Sequence, residues 1–160
     1  MIVCSFNVRG LGSRVKMNKI RDLVREQNVD FLAIQETKME SINEGLCYSL
    51  WGGRDCGWVV LPSLGKSGGI LSMWNKDKFA IIFSFTGEGF VGVCLNIVEE
   101  QRACFVVNVY AKCETQARRR LWENILMSKR GFGGDLWCVV GDFNAIRELN
   151  ERRGLRADSV

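Results

Sequence analysis

Apolar runs of strand length recur along this chain of 160 residues, and helical patterns interrupt them only in the first and last thirds. Ile2–Phe6 is a short run of β-formers, followed by a Gly10/Gly12 turn with Ser13 placed to cap a helix. Val15 to Gln27 then sets Met17, Ile20, Leu23 and Val24 on one helical face, with Lys19, Arg21 and Arg25 outside it. Phe31–Gln35 completes a strand–helix–strand unit. From about Leu46 to Tyr110 the pattern changes to Trp58–Leu61, Ile70–Trp74, Phe79–Phe85, Phe90–Ile97 and Ala103–Tyr110, joined by Gly-, Asn- or charge-rich turns. That spacing predicts antiparallel strands. A second helix is expected from Thr115 to about Lys129, with Leu121, Trp122, Ile125 and Leu126 as its buried stripe, and then a strand, Leu136–Val140. The charged stretch from Arg147 to Val160 has no clear partner. The order predicts one mixed α/β domain over residues 1–160, with helices covering a sheet or pair of sheets.

Composition narrows the chemistry. The sequence contains no His, which excludes Ser-His and Cys-His nucleophilic schemes for this chain acting alone. Its seven Cys form no C-x-x-C pair, so no structural zinc site is expected. Cys4, Cys94, Cys104 and Cys138 lie inside apolar runs, as buried free thiols of a reducing compartment do. The expectation is an intracellular protein, cytoplasmic or nuclear, with no membrane span or signal peptide.

The net charge of +4 is unevenly spread. Residues 1–28 hold six Lys/Arg against Asp22 and Glu26, while the rest of the chain carries 16 charges of each sign. A second basic stretch, Lys112 to Arg130, contains Arg118-Arg119-Arg120. Such patches suit a polyanion, with Arg9, Arg118 and Arg119 as candidate nucleic-acid contacts. They equally suit the solvated faces of two amphipathic helices.

Unusual polar residues end several apolar runs. Asn7 follows Ile2–Phe6, Glu36 follows Phe31–Gln35, Tyr110 closes Ala103–Val109, and Asp142 and Asn144 follow Leu136–Val140. The C-terminal ends of strands are where α/β sheets place ligand sites. Glu36 and Asp142 could supply the one or two carboxylates that Mg²⁺ requires, with amides and a phenol as neutral donors to phosphate oxygens. Each residue also has a plainer reading: Asn7 as a loop residue bonded to its own backbone, Glu36 as a solvated strand end, Tyr110 as a half-buried aromatic, and Gly-Asp-Phe-Asn as a turn.

Five segments occur in a telling order: Ser5-Phe6-Asn7-Val8-Arg9-Gly10-Leu11, Ile34-Gln35-Glu36-Thr37-Lys38, Ser67-Gly68-Gly69-Ile70, Asn108-Val109-Tyr110-Ala111 and Gly141-Asp142-Phe143-Asn144. Together they resemble the endonuclease/exonuclease/phosphatase superfamily from residue 1 to about residue 154. The opening, the Gln-Glu-Thr-Lys form and Arg120-Leu121-Trp122 are most similar to the endonuclease domain of plant LINE-type retrotransposons. The resemblance implies a four-layer α/β sandwich of two packed mixed sheets flanked by helices. It implies Glu36 as main metal ligand with Asn7 beside it, for Mg²⁺ with Mn²⁺ as a substitute. Asp142 would orient or deprotonate the attacking water, Asn144 would hold that water or a phosphate oxygen, and Tyr110 would contact the phosphate of a DNA partner.

The family pattern continues past Gly-Asp-x-Asn with further strands, another catalytic Asp and a terminal Ser-Asp-His, and this sequence reaches Val160 without a His. The expectation is therefore the N-terminal portion of a Mg²⁺-dependent phosphodiesterase with at most trace activity, a sandwich incomplete at its C-terminus with an exposed edge. Two alternatives stand beside it: a nucleic-acid-binding remnant that does not cleave, and a phosphatase of the same superfamily acting on a small phosphate ester.

Overall fold

The structure is a computed structural model that describes residues 1–145. The first strand–helix–strand unit consists of β1 (Val3–Asn7), α1 (Arg14–Glu26) and β2 (Phe31–Gln35). β1 and β2 pair in parallel, with Asn7 opposite Gln35. A short helix, α2 (Glu44–Trp51), precedes β3 (Cys56–Leu61) and β4 (Ile70–Asn75). It corrects the reading of this region as strands from about Leu46 onward. Gly45, Cys47, Tyr48 and Trp51 are indifferent or poor helix formers, so no periodic signal announces it. Its ends carry the usual marks: the Asn43 side chain accepts from the Leu46 N–H at 2.8 Å, and Gly52 closes the helix with φ 86°.

β4 runs antiparallel between β2 and β3, giving a sheet in the order β1-β2-β4-β3. The second sheet has the order β5 (Phe79–Gly87), β6 (Phe90–Ile97), β7 (Arg102–Tyr110) and β8 (Trp137–Asp142). β5, β6 and β7 form an antiparallel meander, and α3 (Thr115–Phe132) returns the chain so that β8 lies parallel to β7. Each sheet thus holds one parallel pair joined by a helix. The two pairs face each other, β1 against β8 and β2 against β7.

Side-chain alternation along the strands sorts the core into layers. Leu32, Ile34, Leu71 and Met73 meet Ile20, Val24, Leu50 and Trp51 of the first two helices. Phe31, Ala33, Trp74, Val93, Leu95 and Val106 fill the space between the sheets. Phe90, Val107 and Val109 pack against Leu121 and Ile125 of α3. This is the expected four-layer sandwich: helices, sheet, sheet, helix.

The stripe of α3 differs from expectation. Ala117, Leu121 and Ile125 are buried at four-residue spacing, whereas Trp122 and Leu126 are 40% and 50% exposed. Trp122 stacks instead on Phe143, with ring centroids 5.5 Å apart. All seven cysteines are free thiols, and only Cys113 is exposed. No helix among the described residues is long and apolar enough to cross a membrane. The charged stretch from Arg147 lies outside the described residues.

Candidate active site

The inward-facing positions of the parallel pairs change from apolar to polar as the strands approach their C-terminal ends. On β2 the sequence Phe31, Ala33, Gln35 faces the other sheet, and on β7 the matching positions are Cys104, Val106, Asn108. Gln35 and Asn108 are almost fully buried, and they bond across the interface, Gln35 Nε2 donating to Asn108 Oδ1 at 2.6 Å. Gln35 Nε2 also reaches Ser5 Oγ (3.1 Å), while Asn108 Nδ2 donates to Leu71 O and Ser72 Oγ, each at 3.1 Å. Every partner in this network is satisfied, so it joins the two sheets in a fixed register immediately beneath the site.

Above it sit the strand-end residues. Were β2 to continue, Glu36 would point to the helix side. Instead Glu36 and Lys38 both take left-handed backbone, φ 57° and 55°, which is uncommon outside Gly. Backbone hydrogen bonds hold this turn from two sides. Gly10 N–H donates to Glu36 O at 2.7 Å and Leu11 N–H to Thr37 O at 2.9 Å; Thr37 N–H donates to Gly69 O at 3.1 Å and Lys38 N–H to Gly68 O at 2.9 Å. Gly69 (φ 89°) has to be Gly, because a Cβ there would overlap the Thr37 hydroxyl. The Gly10 turn and the Ser67-Gly68-Gly69 segment are thereby explained as supports for Glu36.

Asn7 and Asp142 meet although they lie 135 residues apart, Asn7 Nδ2 donating to Asp142 Oδ2 at 2.7 Å. Each also closes a local turn: Asn7 Oδ1 accepts from Arg9 N–H (3.0 Å) and Asp142 Oδ1 from Asn144 N–H (3.1 Å). One end of each side chain closes its own loop while the other end reaches the opposite strand end. Register places Tyr110 beside Asp142 across β7 and β8. Gly141 (φ 139°) allows this approach, as any Cβ would run into the backbone of Val109.

Asn7 and Tyr110 both face Glu36 as well. Burial by itself would raise the Glu36 pKa. The Lys38 ammonium, 3.0 Å from the carboxylate, with the polar side chains of Asn7 and Tyr110 facing it, outweighs burial and holds the carboxyl below its usual range. Burial raises the Tyr110 pKa, and the two carboxylates Glu36 and Asp142 raise it further. Tyr110 is therefore a neutral phenol with a proton to donate.

The four residues Asn7, Glu36, Tyr110 and Asp142 thus converge on one edge. Asn144 stands at the rim, its Nδ2 donating to Ala111 O at 2.5 Å. Arg118 folds its guanidinium onto the carbonyls of Cys113 and Asn144 and the Thr115 hydroxyl, while Arg9 and Arg119 are exposed. Sequence reasoning passed over Lys38, Gln35, Asn108 and Gly141 as functional supports. Asn108 was detectable as the one amide inside an otherwise apolar run. The donors available to an ion are hard oxygens: the carboxylates of Glu36 and Asp142 and the free lone pair of Asn7 Oδ1. Among the described residues no three His, Cys, Asp or Glu side chains gather to hold a metal. Carboxylate and amide oxygens are donors of the kind that hard divalent cations take.

The sequence matches the Endonuclease/Exonuclease/phosphatase family over residues 4–159. Among curated proteins no sequence matches it. Its fold is shared with the human Nocturnin catalytic domain at TM-score 0.70 and 15% identity, covering 90% of this chain and 64% of that one. A mannosyl-6-phosphatase from Bacteroides thetaiotaomicron aligns at TM-score 0.67 and 14% identity, covering 89% and 64%. ANGEL2, a 2′,3′-cyclic phosphatase solved with adenosine-2′,3′-vanadate, aligns at TM-score 0.70 and 14% identity, covering 91% and 54%. The chain spans less than two thirds of the length of each of these structures. With a match along nearly its whole length and the two-sheet architecture to go with it, the chain belongs to the Endonuclease/Exonuclease/phosphatase family.

Proposed function

We propose that the chain is a Mg²⁺-dependent phosphodiesterase that acts on DNA, in the manner of the LINE-type endonucleases its motifs resemble. The observation that carries this reading is the convergence of Asn7, Glu36, Tyr110 and Asp142, from four strand ends, on one edge of the sandwich. Glu36, with Asn7 beside it, would hold the ion, which when bound neutralises phosphate charge and stabilises the leaving oxyanion. Asp142, fixed by Asn7 and by the Asn144 N–H, orients the attacking water and accepts its proton. Tyr110 donates to a phosphate oxygen as charge develops there. Asn144 holds that oxygen or the water from the rim. Lys38 keeps Glu36 ionised and adds positive charge where an anion arrives. Arg9, Arg118 and Arg119 hold the polyanion, Arg118 from its bonds to the Cys113 and Asn144 carbonyls.

Incubation of supercoiled plasmid with the purified chain tests this. Nicking, expected at trace level, should require Mg²⁺, and Glu36→Gln should abolish it. Equal nicking by both proteins overturns the assignment. A second reading, binding without cleavage, draws support from the exposed Arg14, Lys19 and Arg25 of α1 and Arg119 and Arg120 of α3. It predicts salt-dependent DNA binding that Glu36→Gln leaves unchanged, with no nicking. A small phosphate ester as substrate would be indicated by turnover of sugar phosphates in place of DNA.

A further inference from the structure

β5 is the end strand of the second sheet, and among the described residues no strand pairs with its outer edge. We infer that this edge pairs with β5 of a second copy of the chain, antiparallel across a two-fold axis. β5 runs for 9 residues, against 5 for β1 and 6 each for β3 and β8, the other end strands. Its sequence, from Phe79 to Gly87, contains no charge and no Pro, the residues that ordinarily guard a strand edge. Its one irregularity is a bulge at Ile82, where the register against β6 slips between Ile81 and Phe83. The bulge leaves two consecutive isoleucines, Ile81 and Ile82, 50% and 54% exposed.

The strand also overhangs the rest of the sandwich. Ile81 and Ser84 lie opposite Leu95 and Val93 of β6, which are buried between the sheets. Ile81 and Ser84 therefore occupy the inner face, yet both are exposed, because the first sheet stops short of β5. On the outer face Phe83 and Phe85 each meet Phe132 of α3 with ring centroids 4.9 Å apart, and Phe132 remains 47% exposed. Phe85 lies across Gly92, where a Cβ would overlap the ring, so this face stays flat up to the edge. A second copy covers these apolar groups and satisfies the outward N–H and C=O groups of β5 in one step. Pairing about a two-fold axis sets residues near their own copies, so a charged strand would face like charges; β5 carries none. One edge is used in each copy, and the assembly closes at a dimer. An interface built on one strand per copy is small beside the roughly 20–30 residues a side of standard interfaces. The dimer is therefore reversible, with a dissociation constant on the order of 10 µM. β5 and β8 stand at opposite ends of their sheet, so the strand ends that carry Glu36 and Asp142 stay open, facing opposite directions in the two copies.

Sedimentation velocity over about 1–100 µM tests this pairing. The mass should rise with concentration from 18.1 kDa toward double that value. Ile82→Lys and Ser84→Lys, both at exposed positions of the edge strand, should each weaken association at least about 10-fold. Their circular dichroism and thermal midpoints should match wild type. Val15→Lys replaces a comparably exposed apolar residue on α1 and should leave association unchanged. Amide hydrogen exchange within Phe79–Gly87 of the wild type should slow as concentration rises, and it decides the matter should a lysine variant unfold. A monomer at every concentration overturns the pairing and leaves the edge to a strand of some other protein. Association that both β5 variants retain, or that Val15→Lys loses to the same extent, puts the contact elsewhere and overturns it too. Growth beyond the dimer rules out a closed pair.

Discussion

Single side chains at this edge serve two partners at once. Asn7 and Asp142 each close a local turn with one polar atom and reach the other strand end with the second, so their conformations are fixed before any substrate arrives. Glu36 reaches the same state through backbone strain and a lysine. Asp30 is its counterpart far from the site. Burial would raise its pKa, but the Lys78 hydrogen bond at 2.5 Å, the Ile2 N–H at 2.7 Å, and the charges of Lys78 and the N-terminus lower it overall. Both carboxyls have folded pKa values below their unfolded ones. Their contribution to stability is therefore complete above the ordinary carboxylate pKa of about 4 and is lost as pH falls below it. Urea denaturation across that range should show the decline. Asp30→Asn should flatten it while lowering neutral-pH stability by about 1–3 kcal/mol. An unchanged slope in that variant would show that Asp30 is not one of the groups responsible.

At the scale of elements, two glycines decide whether the strand ends can approach each other. Gly69 makes room for Thr37 and so for the turn that carries Glu36, and Gly141 lets β8 pass the Val109 backbone just before Asp142. Ala at either position should cost more than about 1 kcal/mol, since it meets both positive φ and a steric overlap. Thermal denaturation of Gly69→Ala and Gly141→Ala checks this, and a midpoint equal to wild type in either variant removes that glycine from the account. At this scale the sequence was readable where periodicity was strong. α1 and the strands β2, β6 and β7 lie within a residue or two of where their apolar patterns put them. α2 was missed because its eight residues are too few to display a period and are rich in residues with no helical preference. In α3 the apolar pairs Leu121-Trp122 and Ile125-Leu126 concealed which member of each pair faced inward, and the shape of the sheet beneath chose Leu121 and Ile125.

For the whole molecule, the amide pair Gln35–Asn108 fastens the two sheets directly below the site. Asn108→Leu should keep the volume but take from Ser72 Oγ its Asn108 donor and from Gln35 its bond across the sheets, at a cost of about 1–3 kcal/mol. It should also lower plasmid nicking, because Glu36 follows Gln35 and Tyr110 lies two residues beyond Asn108. Stability and nicking measured on one preparation decide the matter: wild-type values for both would mean the network neither holds the sheets nor positions the site.

The residue types at the strand ends, the order of helices and strands apart from α2, and the family motifs were all determined by the sequence itself, because turn chemistry and apolar periodicity are local properties. The tertiary structure alone decided that Asn7 touches Asp142 across 135 residues, that Glu36 turns inward against the alternation of its strand, and that β5 extends past the cover of the first sheet. Those facts depend on how two sheets register against each other. That register is set by the packing of Phe31, Trp74, Leu95 and Val106 and by one buried amide pair, none of which any short stretch of the chain can specify by itself.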